Sequence, residues 1–342
     1  MKTLRYYISL VLVVLAGVAA MRAENGTTAY EFLNVAPSSH VYGLGGHNLT
    51  IIDDDINLVE QNPALLGPEY EKQIGLNYMR YLGNSNFMGA SFGNGIGEHS
   101  AWAARIQYFG YGKMTAATAD GTVTGTFSPS DIAFSGTYSH DINDRLRGGI
   151  TMKFISSNYD SYSAFAICAD LGINYYNPDS DNSFSIVLKN LGGQVKKFND
   201  EYNSLPWDIQ IGWSKILSAA PVRISVTATN LNKWKMPYMD REDKNFTTSD
   251  LVEKSSFASN LFRHLTFAVE LLPSDKFYVG LGYDYKTRTD MVNYSRNFIS
   301  GLSLAAGLKT RALGFGVAFA QPHIGGTSFM LNLTVSVADL MR

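Results

Sequence analysis

The feature that most constrains this chain is a repeating stretch of about ten residues with period-two alternation, the length a tilted strand needs to cross a bilayer. In DRLRGGITMKF, Leu146, Gly148, Ile150, Met152 and Phe154 share one face, while Arg145, Arg147, Gly149, Thr151 and Lys153 share the other. In PWDIQIGWS, Trp207, Ile209, Ile211 and Trp213 oppose Asp208, Gln210, Gly212 and Ser214. HLTFAVELL and SFMLNLTVSV repeat the pattern, with Glu270 on the polar face of the first and Asn332 and Thr334 on that of the second. One face is apolar with aromatics near its ends and the other is small, polar or charged, which suits lipid outside and a polar lumen inside.

Fourteen such segments begin near Lys72, Phe87, Ser100, Ser130, Arg145, Tyr162, Ser183, Pro206, Val222, His264, Lys276, Phe298, Arg311 and Thr327. The count is even, as bacterial transmembrane barrels require. Loop lengths add an independent constraint. If the first strand starts on the periplasmic side, the connections 112–128, 194–205, 232–262 and 287–297 face outward and are long. Those at 141–144, 218–221, 273–276 and 309–311 face inward and are tight, which is the polarity of an outer-membrane barrel. A secreted all-β domain is the alternative, and it has no reason to sort its loops this way. The last strand is expected to stop near Val337 and leave a short tail, so the barrel occupies 72–338.

Composition agrees. The chain has 31 Gly, 20 Tyr and 19 Phe against 10 Pro, which favours strands joined by tight turns. A net charge of -2 gives no electrostatic case for nucleic acid. A single cysteine, Cys168, rules out an internal disulfide. At the front, Lys2 and Arg5 precede an apolar run from Ile8 to Ala20 that is too short to span a bilayer. Residues 1–23 therefore read as a secretory signal peptide cleaved after Ala23, with Ala20 as the other fitting site. With no other long apolar stretch, the mature chain is expected to cross the outer membrane with strands alone.

Residues 24–71 do not alternate, and their core is DDDINLVEQNPALLG. Asp53, Asp54 and Asp55 can cap a helix over Ile56 to Gln61, and the Asn62-Pro63-Ala64 turn stops it. A fourteen-stranded barrel has a lumen wide enough for such a segment, so 24–71 is expected to form a hatch inside it. The candidate lumen charges facing that hatch are Arg145, Arg147, Lys153 and Glu270, pairing with one another or with its carboxylates. The sharper alternative for the three aspartates is a calcium site, but no Asp-x-Asp-x-Asp-Gly loop accompanies them.

The blocks EFLNVAPSSHVYGLGG, DDDINLVEQNPALL and GLNYMRYLG, together with the middle strands SDIAFSGTYSHDINDRLRGGITMKFISSNYDSYSAFAICADLGINYY, resemble the PorV/PorQ family of the Bacteroidetes type IX secretion system. The likeness is to its PorQ branch and covers nearly the whole mature chain. The family is similar to the FadL fatty-acid transporters, which implies a FadL-like fourteen-stranded barrel with an N-terminal hatch carrying an Asn-Pro-Ala turn. It also implies a place in an attachment complex, where the barrel holds a surface protein of the PorZ type beside the PorU sortase and PorV. That complex links secreted cargo to anionic lipopolysaccharide.

Catalytic patterns are not apparent. His40, His47, His99, His140, His264 and His323 form no pair at metal-ligand spacing, and there is no Gly-x-Ser-x-Gly or His-Glu-x-x-His. Gly43-Leu44-Gly45-Gly46 lacks the rest of a dinucleotide fingerprint. No enzyme activity, cofactor or metal is expected. The loop 232–262 carries Trp234, Met236, Tyr238, Met239, Phe246 and Phe257 amid mixed charge, the composition of a partner-binding surface. The expectation is an all-β, antiparallel transmembrane barrel that anchors a surface partner and contacts outer-membrane lipid. A FadL-like channel for small or hydrophobic ligands is the alternative.

Overall fold

A computed structural model describes residues 30–341 except 119, 199–201, 242–250, 292–298 and 324–325. The expected signal peptide, 1–23, and the first residues of the expected hatch lie outside the described residues. Fourteen strands close into an antiparallel barrel. In chain order these are β1 (Gln73–Arg80), β2 (Asn86–Ile96), β3 (Ser100–Gly110), β6 (Ser130–Asn143), β7 (Leu146–Tyr159), β8 (Tyr162–Asn177) and β9 (Asn182–Lys196). They continue with β10 (Asp208–Ile216), β11 (Val222–Ala228), β14 (Leu265–Ser274), β15 (Phe277–Asp284), β16 (Leu302–Lys309), β17 (Leu313–His323) and β18 (Gly326–Ser336). Two hairpins stand off the barrel in its longer connections. One pairs β4 (Met114–Ala117) with β5 (Val123–Phe127), the other β12 (Tyr238–Arg241) with β13 (Leu251–Lys254).

Closure comes from β1 pairing with β18, in a register that sets Leu76 against Leu333 and Tyr78 against Leu331. It leaves no free sheet edge, which a backbone in hydrocarbon requires. After Ser336 the chain turns into a short helix, Val337–Leu340, which is the expected tail.

The alternation read from the sequence sorts side chains inside out relative to a soluble sheet. In β7, Ile150, Met152 and Phe154 are exposed while Thr151, Lys153 and Ile155 are buried. Aromatics gather at both rims of the exposed face. Trp102, Tyr138, Tyr175, Phe184 and Trp213 lie toward the ends with short turns. Tyr78, Phe267, Phe319 and Phe329 lie toward the opposite ends. The turns at 97–99, 144–145, 178–181, 217–221, 275–276 and 310–312 mark one end, here called inner. The connections 111–129, 197–207, 229–264 and 285–301 mark the outer end.

Residues 30–72 hold only short helical turns: Glu31–Asn34, Ser39–Tyr42, Ile56–Leu58 and Pro63–Leu65. Their apolar side chains, among them Phe32, Val41, Leu44, Leu58 and Leu65, are buried with wall residues Met79, Phe87, Phe109, Ile155 and Met330. A smaller cluster of Ile56, Val59, Leu66 and Tyr70 packs on Ala101 and Ala103. The segment starts at the outer end, where Tyr30 accepts a hydrogen bond from Gln194 and stacks on Phe198. It leaves at the inner end, where Gln73 donates to Asp54 and accepts from the Ile56 amide.

Candidate functional site: the filled lumen and the outer rim

The front segment is seated by polar groups on the inward faces of the strands. The Ser39 amide donates to Asn332 Oδ1 (2.8 Å), whose amide nitrogen donates to the Pro37 carbonyl (3.1 Å). Ser303 donates to the Gly43 carbonyl and accepts from the Gly45 amide. Ser139 donates to the Leu66 carbonyl at 2.6 Å. Wall serines and asparagines thus satisfy the irregular backbone that 30–72 brings into the lumen, where an unpaired amide is costly.

The Asn62-Pro63-Ala64 turn has its own seat. Asn62 Oδ1 accepts from the Ala64 amide at 2.9 Å and caps the turn Pro63–Leu65, with Pro63 at the first position. Its amide nitrogen donates to the Leu49 carbonyl and to Ser185. Beneath the turn, Gly149 of β7 is paired with Gly172 of β8. A Cβ on Gly149 would lie 2.5 Å from the Pro63 backbone, and one on Gly172 would overlap Asn62 Oδ1. The two glycines form a notch that only a chain without side chains there can offer.

The three aspartates separate. Asp55 caps the turn Ile56–Leu58 by accepting from the Asn57 amide at 3.0 Å, and it accepts from Thr334 at 2.8 Å. Asp53 and Asp54 pair with Lys309, the latter at 3.1 Å. Burial alone would raise the Asp53 carboxyl, but Lys309 and, more weakly, His40 hold it below its ordinary value. This corrects two expectations. The expected helix Ile56 to Gln61 is a single tight turn with i→i+3 bonds, capped by Asp55 alone. The aspartates do not pair with Arg145 or Arg147, because those belong to β7 and the turn before it, across the barrel from the β16 residue Lys309. Among the described residues, no group of three or more His, Cys, Asp and Glu is arranged to hold a metal ion.

Of the four candidate lumen charges, three meet the front segment. Lys153, fully buried, lies 2.6 Å from Asp170 and 3.0 Å from Glu60. Burial would raise the Glu60 carboxyl, yet Lys153 and then Arg105 outweigh that and lower it. Glu270 lies 2.5 Å from His40 and 3.3 Å from Arg223, and the His40 ring stacks on Tyr278. Arg147 binds Asp141 at 2.5 Å and forks onto both oxygens of Glu69 at 3.1 and 3.3 Å. Arg145 does not face the segment. It sits in the β6–β7 turn, one residue before β7 begins, and pairs with the exposed Asp179.

Sequence reasoning passed over Glu60, His40, Arg223 and Lys309, which supply the other halves of these pairs. Arg223 could have been found as the lone long cation on the inward face of β11, whose inward residues also include Ser225 and Thr227. Below the segment, at the inner end, lies a cavity of about 430 Å³ bordered by His40, Asp53, Arg223, Tyr278, Lys309 and Phe315. At the outer end a chain of rings, Phe109, Tyr111, Tyr159 and Phe198, closes over Tyr30. Asp131 accepts from the hydroxyls of Tyr111 (2.5 Å) and Tyr159 (2.8 Å) beneath it.

The outer connection 229–264 is partly described. Trp234 stacks on His264 and meets Phe257 at a tilt, with ring centres 5.0 and 5.5 Å apart. The Met236 amide donates to Asn260, and Tyr238 lies under the Arg263 guanidinium. Met239 lies on β12 with its side chain outside the described residues, as does all of Phe246. Arg263 also binds Asp290 at 2.7 Å, which ties this connection to the next.

This barrel is similar in fold to hydrocarbon-transport barrels of low sequence identity. The Ralstonia pickettii toluene transporter TbuX matches with a TM-score of 0.52 at 11% identity, over 89% of this chain and 98% of that one. The Pseudomonas putida toluene transporter TodX matches at 0.51 and 10%, over 86% and 96%. The CymD monoaromatic hydrocarbon channel matches at 0.52 and 12%, over 90% and 99%. No match is found among curated proteins. The chain thus shares the fold of these transport barrels, and residues 19–172 match the family model described as type IX secretion system protein PorV.

Proposed function

We propose that this protein is a closed outer-membrane barrel of the type IX secretion system that holds a surface partner and carries out no reaction of its own. The observation that carries this reading is the lock between lumen and wall. Glu60 with Lys153, Glu270 with His40, and Asp53 with Lys309 pin residues 30–72 to three separate parts of the barrel. In this reading the segment is a permanent hatch. Glu60, Lys153, His40 and Glu270 are buried, and parting either of their pairs takes a buried polar group from its partner, so opening a path would be costly. A sealed barrel offers partners its long outer connections, of which 229–264 is rich in aromatic residues. The match over residues 19–172 supports the secretion system as the setting. The partner proposed is an exported surface protein of the PorZ type, within an attachment complex that also holds PorU- and PorV-type members. The signal peptide 1–23 would deliver the chain to the outer membrane.

The test is capture. The tagged full chain is purified in mild detergent from its own membrane, and the proteins that stay bound are identified by mass. Stoichiometric recovery of a large exported protein is expected, with loss of it when 232–262 is replaced by a short Gly-Ser linker. Undiminished recovery from the linker variant would reject the loop as the contact.

A FadL-like channel is the second reading, favoured by the cavity of about 430 Å³ beneath the segment. It predicts that deleting 24–71 raises permeability to a hydrophobic solute that the intact protein admits. A barrel that recovers only lipid or fatty acid in the capture experiment would favour it.

A further inference from the structure

The helix Phe257–Arg263 has its polarity reversed. At about 100° per residue, Phe257, Leu261, Ala258 and Phe262 fall in one continuous arc, and all four are exposed. Asn260 and Arg263 project from the opposite side and are buried at 5% and 4% exposure. Arg263 is held there by Thr289 and Asp290, and Asn260 receives the Met236 amide. A helix at a water-facing rim would turn Asn and Arg outward and Phe and Leu inward. Here hydrogen bonds fix the inverse.

The position of the helix says what covers that face. Phe262 packs on Phe267 and Tyr285, with ring centres 6.5 and 5.9 Å away. Phe267 lies on the exposed face of β14, the face that carries Val269 and Leu271. Tyr285 directly follows β15, whose exposed face carries Val279 and Leu281. The apolar arc therefore continues the lipid-facing belt of two adjacent strands beyond their outer ends. Amphipathic segments that lie in a bilayer interface show this arrangement, aromatic and aliphatic residues toward the acyl chains.

We propose that the helix Phe257–Arg263 rests in the outer leaflet, with Phe257, Leu261 and Phe262 against lipid acyl chains. It is a foot that holds the connection 229–264 down beside the barrel wall. The assignment stands apart from the partner reading, since it concerns the barrel alone in lipid, and a failed capture experiment would leave it intact.

The experiment uses the full chain with Cys168→Ala, which removes the one native thiol. Single cysteines are placed by Phe257→Cys, Leu261→Cys and Phe262→Cys, with Asp144→Cys in an inner turn as a water control and Leu281→Cys as a lipid control. Each is spin-labelled and reconstituted into phospholipid vesicles, and folding is checked by heat-dependent mobility of the barrel. Collision with oxygen, which concentrates in lipid, is compared with collision with a water-soluble nickel chelate. The expected result is oxygen above nickel at 257, 261 and 262, as at 281 and opposite to 144. Nickel above oxygen at 257 and 261 would place the helix in water and overturn the proposal. Low collision with both reagents would mean that protein covers the face, a second copy or another loop, and would overturn it too.

Discussion

Replacing Gly172 by Ala tests whether the wall notch is what seats the Asn62-Pro63-Ala64 turn. The new methyl would overlap Asn62 Oδ1 and lie 3.0 Å from Pro63 Cδ. Neither neighbour can yield freely, since Asn62 is fully buried and its amide nitrogen is held by Leu49 and Ser185. Overpacking at a site of this kind costs about 1–3 kcal/mol. Displacing Oδ1 from the Ala64 amide removes a cap worth roughly 1 kcal/mol. Together these shift the balance between seated and released turn by about 2–4 kcal/mol, or roughly 30- to 1000-fold. Because the wall is held by its own ladder, the loss should appear in the segment and spare the barrel. The assay is amide hydrogen exchange of residues 56–72 in detergent-solubilised protein, read beside heat-dependent mobility. Faster exchange at Ala64 and Leu65 is expected with the barrel unchanged. Gly136→Ala, where a Cβ meets nothing within 4 Å, serves as the control. If Gly172→Ala exchanges at the native rate while remaining folded, the notch is not the seat.

Lys153→Met strands Glu60 and Asp170 in the lumen and is expected to destabilise the seated segment by about 3–5 kcal/mol, measured by chemical denaturation. Adding Glu60→Gln should recover part of that loss, and no recovery would mean the pair is not coupled. The carboxyls of Asp53 and Glu60 are held below their ordinary values by Lys309 and Lys153, so their contribution is present above the unfolded carboxylate pKa near 4 and fades as pH falls through the lower folded values. Proteolytic protection of 30–72 should accordingly be flat from neutral pH down to about pH 5 and fall only in stronger acid. A loss of protection centred between pH 6 and 7 would refute the assignment to these two carboxyls. Arg145→Ala should change neither protection nor stability measurably, because its ion pair with Asp179 is solvent-exposed.

The barrel was legible because lipid makes its demands residue by residue. Each strand needs an apolar outer face and a tolerant inner one, and segments such as Leu146–Tyr159 and Gly326–Ser336 carry that alternation without interruption. The tight inner turns were legible for the same reason, since a short gap between two such runs leaves little choice. Pairing inside the lumen was not. Alternation places Lys153 and Glu270 inward, but which residue of the front segment reaches each depends on a path without a period. That path dips from Tyr30 to Ser39, climbs to Leu44 and descends again to Asp53. Arg145 was misplaced because parity alone extends a strand one residue too far, where the turn toward Asp179 has begun. The helix Phe257–Arg263 lay beyond reach as well. Its aromatics mark it as a contact surface in any reading, and only the burial of Asn260 and Arg263 reveals which way they face.

The last strand has two duties. Strand β18 completes the wall by pairing with β1, and from the same residues it grips the segment inside. Asn332 takes hold of Ser39 and Pro37, Ser328 meets Tyr42, and Thr334 reaches Asp55. These partners are separated by most of the chain, so this set of contacts waits for the C-terminal residues. The strand that closes the cylinder is thus also one of its internal clasps. A chain without its final strand would lose the seam and this grip together, while the pairs that the segment makes with β7, β14 and β16 do not depend on it.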